Sequence, residues 1–450
     1  MKDKYIGGWY ALDKNEYVKG ILTIDEEDGI ILEVDGIIKN NGIINGVSND
    51  NKKITLQGCI QTYSSFGTAG CICKYTCSVV YVGETYDKKE DIKFDQFSFS
   101  TSNLNDWLWN RSFSFDRDEE NKTFTVSYSL PKPIIAKINE QYSIQIETST
   151  VLPPISIPQY EIEIREKPKV KICSTSAEPL DVFLRLEYIF ECFLKIAIGT
   201  NQNRYEMCGY LDGKKVEIYL SRYINYKDRD VSPIHMPFNF HLVKDKWERV
   251  IASWYENYEK YEDIWNLYFS VNNNTKNFIQ HSFLFYVQVL ESYHRRKYKF
   301  DRTDERNRIK ALIAECPIEH QEFLSKALNF AHEITLKERI EQLCNECDVM
   351  DIILNTQYKI DQAAFVKVIK DNRNYYTHYD ESMEKKKSDD LTLHYITVKI
   401  NIMIHFFLLK ELGFDENERF EILKRLDREL MIDEDMRKLD TFVEQLTDQK

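Results

Sequence analysis

Proline divides this chain into two halves that cannot fold alike. Nine of its ten prolines precede residue 246, and only Pro317 follows it. Proline removes a backbone donor and stops a helix at the residue before it. A long proline-poor segment is therefore free to be helical almost throughout, and its apolar residues recur at helical spacing. They do so in Phe283 to Tyr293, Glu322 to Ile334, Leu336 to Leu343, Phe365 to Ile369 and Leu391 to Leu412, with Gly413 as a stop.

The front half reads differently. Short β-branched runs such as Ile21–Ile24, Gly29–Gly36, Ile43-Ile44, Ile54–Leu56 and Cys77–Val82 are bounded by Asp and Gly. Turn residues recur at roughly 8–12 positions, the spacing of a sandwich or barrel. Pro131, Pro133, Pro153, Pro154 and Pro158 close this stretch. Val182 to Ile198 then predicts a helix, and Val216 to Leu220 a strand. The expected architecture is α+β and multidomain. A β-rich sandwich- or barrel-like domain fills 1–245 (strand-rich over 1–170, mixed over 171–245), and an all-α bundle fills 246–450.

Composition narrows the function. With 43% hydrophobic residues, 28 Tyr and 25 Phe, the chain can bury large cores. Its net charge of −13 is against the usual profile of a protein that coats nucleic acid, so any such site is a local basic patch or a catalytic pocket that holds its substrate briefly. The most apolar window, Tyr395 to Leu409, is broken by Lys399, Asn401 and His405, and predicts a buried helix rather than a membrane span. Ten cysteines with no apolar leader after Met1 predict reduced thiols and a cytoplasmic location, with no membrane partner.

The usual cofactor and hydrolase signatures are missing. There is no P-loop, no G-x-G-x-x-G, no G-x-S-x-G and no H-E-x-x-H, so no cofactor is expected. Cys71, Cys73 and Cys77 share parity and could join Cys59 in a four-thiolate zinc site. Parity also explains them as the buried face of one strand, which is the preferred reading, and no metal is expected. Cys344 and Cys347 form a C-x-x-C with no second pair nearby.

One constellation carries chemistry. Asp371-Asn372-Arg373-Asn374-Tyr375-Tyr376-Thr377-His378 contains Arg, a polar neighbour and His at R-x4-H spacing. On a helix Asn374 and His378 share a face. Asn372 or Asp371 is expected to cap the helix start, where free N–H groups favour an anion. A guanidinium grips phosphate with a forked geometry, and an imidazole exchanges protons near neutral pH. Together they suit metal-free RNA cleavage: attack by the 2′-hydroxyl leaves a 2′,3′-cyclic phosphate. One His cannot easily serve as both base and acid, so a homodimer with two motifs in one cleft is expected. The spacing alone is weak: the same chain holds Arg229…His235, where Pro233 forbids a helix.

Sequence context strengthens the motif. Asp371 to His378 resembles the signature of the HEPN superfamily of helical nucleases. Phe283 to Arg296 resembles the leading helix of its Apea-type group, and Leu336 to Ile340 its middle segment. Gly7-Gly8-Trp9, Gly20 to Leu22, Ile54 to Leu56 and Phe97 to Trp107 resemble the β-rich N-terminal domain of ApeA anti-phage proteins. The resemblance implies an endoribonuclease of abortive infection, cleaving RNA such as tRNA once a phage-derived trigger is sensed. It also implies Arg373, Asn374 and His378 as the catalytic set.

The supporting residues come from the neighbourhood. Glu291 and His294 lie on the leading helix and are candidates to orient motif groups or to be structural. Tyr375 and Tyr376 are candidate base-stacking rings, or core. Eight basic residues against four acidic ones between Glu291 and Lys310 make the best RNA-contact patch, led by Arg295, Arg296 and Lys297. The competing reading is a non-catalytic module in which the helical part dimerises and the β domain senses RNA or another ligand.

Overall fold

The computed structural model describes residues 2–11, 16–25, 28–68, 70–152, 162–221, 230–272, 278–354 and 361–430. Pro153, Pro154, Pro158 and Arg229 lie outside the described residues. The chain divides into two compact units, Met1–Ala252 and Ser253–Lys450.

The first unit is built on strands. In chain order these are β1 (Lys2–Tyr10), β2 (Val18–Asp25), β3 (Gly29–Val34), β4 (Ile43–Ser48), β5 (Lys53–Gln57), β6 (Ile60–Gly67), β7 (Gly70–Thr76) and β8 (Val79–Val82). They continue as β9 (Lys93–Thr101), β10 (Phe113–Asp118), β11 (Thr123–Tyr128), β12 (Ile134–Lys137), β13 (Tyr142–Val151), β14 (Arg165–Pro179), β15 (Arg204–Leu211) and β16 (Lys214–Leu220). Fourteen of them form one sheet in the order β12-β13-β14-β9-β15-β16-β8-β5-β4-β1-β2-β3-β7-β6, while β10 and β11 form a separate hairpin.

Chain connectivity dictates how this sheet bends. Only Cys77 and Ser78 join β7 to β8, yet the two strands stand six places apart in the sheet. Six steps across a flat sheet would span about 29 Å. The link from Thr76 to Val79 reaches roughly 11 Å at most. The seven strands from β8 to β7 must therefore curl into an open barrel, with Trp9, Leu22, Leu32, Ile44, Leu56 and Val80 in one shared core. The Cys77 N–H bonds to the Ile30 carbonyl at 3.1 Å and the Ser78 N–H to the Gln57 carbonyl at 2.8 Å, pinning the seam. The apolar run Cys77–Val82 is thus not one strand: its first two residues are the barrel's closing link. Gly46 faces Trp9 across the β1–β4 pair. A Cβ there would lie 2.3 Å from Trp9 Cε3, so glycine makes room for the indole.

Helices α1 (Leu104–Leu108), α2 (Leu180–Ile198) and α3 (Phe240–Val243) complete this unit. Phe183 and Phe190 of α2 pack on Phe97 and Phe99 of β9 at 6.0 and 6.4 Å between ring centroids. α4 (Trp247–Lys260) carries the chain across the boundary between units.

The second unit is helical throughout: α5 (Glu262–Asn272), α6 (Ile279–Lys297), α7 (Thr303–Glu315), α8 (Ile318–Ala327), α9 (Leu336–Glu346), α10 (Met350–Leu354), α11 (Gln362–His378), α12 (Asp390–Glu411) and α13 (Glu416–Leu430). The periodic stretch from Glu322 to Ile334 does not stay helical to its end. After Ala327 the Ala331 and Glu333 N–H groups close turns onto Leu328 and Phe330. Helix α12 packs on α6. Among the described residues α12 alone is long and apolar enough to cross a membrane, and most of it is buried in this unit. The polar residues that interrupt it are answered inside. Lys399 bonds Asp427 at 2.7 Å and the Ile352 carbonyl at 3.0 Å, and His405 meets Tyr268. Helices α7 and α8 bury none of their residues and leave Leu312, Ile318 and Phe323 exposed.

Candidate functional site

The Arg–Asn–His motif occupies the last third of α11, which packs against α6, α9 and α12. The helix begins eleven residues before Arg373, at Gln362, and Asp361 caps it by accepting from the Ala364 N–H at 2.6 Å. This corrects the expectation for Asn372 and Asp371. They lie mid-helix, where backbone N–H groups are already bonded, so neither caps a helix start.

Asn372 instead serves as a lock. Its side chain has no exposed surface. The amide donates to Ser388 Oγ at 2.8 Å and to the Val368 carbonyl at 2.9 Å, while its oxygen accepts from the Ser388 N–H at 2.9 Å. Both edges of the amide are thereby used, and the segment returning toward α12 is tied to α11.

Arg373 is about one-third exposed. Its Nη1 donates to Asn374 Oδ1 at 3.4 Å, and its Nη2 lies 3.8 Å from Glu291 Oε2 on α6. Glu291 also takes Arg295 at 3.0 Å, so one carboxylate holds two guanidinium groups from two helices. Helix geometry places His378 roughly 6 Å along the axis from Asn374 on nearly the same face, and about 140° around from Arg373. Asn374 therefore lies on the His378 face while bonded to Arg373. His378 ends the helix and is exposed, and its imidazole makes no hydrogen bond among the described residues.

The other histidine of interest is its opposite. His294 is fully buried, with Nδ1 3.1 Å from Arg339 Nη1 and Nε2 2.9 Å from Gln342 Oε1. A guanidinium only donates, so Nδ1 is the acceptor and the ring proton sits on Nε2. Burial holds its pKa below the ordinary value, and Phe300 stacks on the neutral ring at 5.6 Å. His294 thus supports the α6–α9 packing and touches none of the motif residues.

The C-terminal turn of α11 is aromatic. Tyr376 is buried and sets its ring edge-on to Phe283, so of the two candidate stacking rings it belongs to the core. Tyr375 is partly exposed, with the Lys387 ammonium 5.1 Å over its ring. Tyr379 follows His378 with φ +50, a left-handed conformation that glycine usually fills and that costs a tyrosine about 1–2 kcal/mol. Its ring is 62% exposed and packs edge-on against Tyr375 and Tyr376. The sequence does carry this signal: a helix that ends without glycine and places an aromatic just past His378.

The basic patch is divided by its pairings. Lys297 is enclosed by Glu346 and Glu411, both at 3.1 Å, and by the Tyr293 and Phe407 rings. Burial alone would raise the Glu346 carboxyl, yet Lys410 and Lys297 hold it below the ordinary range. Arg296 bonds the Lys260 carbonyl at 3.1 Å and Asp263 at 3.4 Å. Arg295 is half exposed and shared between Glu291 and Glu333. The open cations of the stretch are Lys299, Arg308 and Lys310, all exposed.

The cysteines sort into pairs. Cys59 and Cys77 lie 3.1 Å apart between sulfurs, and Cys71 and Cys73 lie 3.6 Å apart. Among the described residues no three His, Cys, Asp or Glu gather as a metal site, so the four-thiolate arrangement does not form. Cys344 and Cys347 are buried, and burial pushes the Cys344 thiol up to about 12.

No curated protein and no solved structure matches the chain. Family models do. Residues 284–418 match the Apea-like HEPN domain, which takes in the whole Arg373–His378 motif. Residues 4–254 match ApeA N-terminal domain 1, which covers the barrel and the sheet that extends from it. With more than half its length, residues 4–254, under the N-terminal-domain model and residues 284–418 of its helical unit under the HEPN model, the chain belongs to the ApeA family, an ApeA N-terminal domain followed by an Apea-like HEPN domain.

Proposed function

We propose that this protein is a metal-independent endoribonuclease of anti-phage defence, with Arg373, Asn374 and His378 as its reacting set. The observation that carries the proposal is the state of His378. His294, which supports the helix packing, is buried and bonded on both ring nitrogens. His378 is exposed and unbonded at a helix end, one turn beyond an Asn that touches a half-free Arg.

The chemistry follows from these groups. One imidazole takes the 2′-hydroxyl proton as the 2′-oxygen bonds to phosphorus. The bond from phosphorus to the 5′-oxygen breaks, and a second imidazole protonates the departing oxygen. Arg373 offsets charge on the phosphorane-like transition state. Asn374 bridges the Arg and His faces of the helix and orients the guanidinium. The second imidazole comes from a second copy of the chain. The exposed apolar side chains of α7 and α8 fit a chain that buries surface against another copy. The substrate is RNA, tRNA included, and the trigger is a phage-derived signal.

The test is cleavage of RNA by the purified full chain in EDTA, activated with phage-infected extract, with Arg373→Ala and His378→Ala alongside. Cyclic-phosphate ends that disappear in both variants are expected. Cleavage that survives His378→Ala would overturn the assignment and leave the helical unit as a dimerisation and sensing module.

A further inference from the structure

Tyr379 stands where the backbone does not favour a tyrosine. It occupies the left-handed position after His378, with φ +50 and ψ 37, where a glycine would end the helix without strain. Its N–H closes the last helical turn onto the Tyr375 carbonyl, a bond any residue except proline supplies. The ring buries little, being 62% exposed. A bulky side chain that strains the backbone and remains largely in solvent invites a functional reading.

The ring is nonetheless held firmly. Tyr375 meets it edge-on at 5.7 Å and Tyr376 at 6.2 Å, and Tyr376 is itself anchored on Phe283. Lys387 also meets Tyr375, 5.1 Å from the ring centroid, and is kept charged by Glu384 at 3.2 Å. Asn372 fixes the chain one residue beyond Lys387 through Ser388. The result is a braced aromatic cluster with a cation against Tyr375, its solvent-facing ring carried by the residue that follows His378.

We propose that Tyr379, braced by Tyr375 and flanked by Lys387, is the seat for an unpaired base of single-stranded RNA next to the phosphate on which His378 acts. This rests on the ribonuclease reading above and names the substrate class of that same site. Stacking needs a base with an open face. A duplex covers both faces of every interior base, whereas a loop or single strand offers one. Lys387 then meets the backbone phosphate beside the stacked base. The surface thus selects unpaired nucleotides, and it reads no particular base because every base has a π-face.

The experiment uses the full chain carrying His378→Ala, so that RNA stays intact. The probe is a short single-stranded oligoribonucleotide containing 2-aminopurine, compared with the same strand annealed to its complement. Binding is read by titration, stacking by quenching of 2-aminopurine, and assembly by sedimentation. Adding Tyr379→Gly is expected to weaken single-strand binding roughly 5- to 150-fold and abolish the quenching. Duplex binding should hardly change. Tyr379→Phe should keep both the affinity and the quenching. The Gly variant should melt at the same temperature as its parent or higher, because the backbone strain is relieved.

Equal single-strand affinity in the Gly and parent chains overturns the proposal. So does a fall in oligomeric mass on Tyr379→Gly, which would make the ring a subunit contact. If the parent binds no RNA and the unmutated chain cuts none, the ribonuclease reading itself fails and this seat fails with it. Cleavage by the unmutated chain with no effect at Tyr379 sinks the seat alone.

Discussion

Replacing Asn372 with alanine should loosen the helical unit and free the segment that carries Lys387, without touching Arg373 or His378. The cost can be worked from the bonds. Two hydrogen bonds tie Asn372 to Ser388, one through its amide and one through its oxygen. Each contributes about 0.5–1.5 kcal/mol net, and the stranded Ser388 groups add part of a 1–3 kcal/mol desolvation term, so the loss is about 2–4 kcal/mol. The third bond, to Val368, costs less to lose, because that carbonyl keeps its place in the helix. For a unit of this size the loss corresponds to a melting temperature lower by roughly 5–15 °C. Calorimetry reads the shift, and hydrogen exchange locates it, with faster exchange expected first at residues 381–389. Asn372→Asp is the control: it keeps the acceptor for the Ser388 N–H but loses both donors, so its shift should be similar or larger. A variant Asn372→Ala that melts within about 1 °C of the parent, with unchanged exchange at Ser388, would refute the lock and reopen Asn372 as a motif residue.

Three further outcomes are expected. Gly46→Ala drives a Cβ into the Trp9 ring, 2.3 Å away in the fixed backbone, and should destabilise the barrel by about 1–3 kcal/mol or more, read as loss of the first-unit transition in calorimetry. Lys297→Met removes the cation between Glu346 and Glu411 and should cost about 1.5–3 kcal/mol, whether or not RNA is present; a variant that keeps full stability but loses RNA affinity would return Lys297 to the RNA surface. His294 gives a pH signature. Burial holds its folded pKa below the ordinary value of 6.5, so the unfolded chain takes the proton first. Its contribution is complete above 6.5 and is lost as pH falls through the folded value. Thermal melts from about pH 7.5 down to pH 5 should show a steeper decline for the parent than for His294→Gln.

The two-part architecture was legible because proline and glycine act locally. A helix over Val182–Ile198, a strand over Val216–Leu220 and the buried run Tyr395–Leu409 follow from periodicity alone, and each forms. The barrel seam was not legible. Cys77–Val82 reads as one strand, since nothing in that run tells that Cys77 and Ser78 must bridge two strands that are distant in the sheet. The motif residues were legible as residue types at a spacing. What each of them touches was not. Glu291 meets Arg373 only because α6 and α11 pack together, and that packing also turns His294 away into a neutral network with Arg339 and Gln342. The charge count over Glu291–Lys310 likewise misplaced the open cations, because Arg296 and Lys297 pair with acids far away in sequence.

A proton balance leaves the arrangement incomplete in one chain and gives the sharpest test of the dimer. The proposed cleavage removes one proton from the 2′-oxygen and delivers one to the 5′-oxygen. Glu291 is already occupied by two guanidinium groups, and His294 is buried with both nitrogens bonded. His378 is therefore the imidazole of the motif helix open to a substrate, and on the ribonuclease reading we propose that a second comes from another copy. Mixing the chain with an equal amount of His378→Ala, and letting subunits exchange, leaves about a quarter of the dimers with two intact imidazoles. If both are needed, activity per total protein falls to about a quarter. If each chain cuts by itself, it falls only to about half. The measurement is initial cleavage rate against the fraction of variant chain, and the two cases separate as a parabola and a straight line. A straight line would refute the composite site, and the search for the second proton carrier would move to other groups of the same chain.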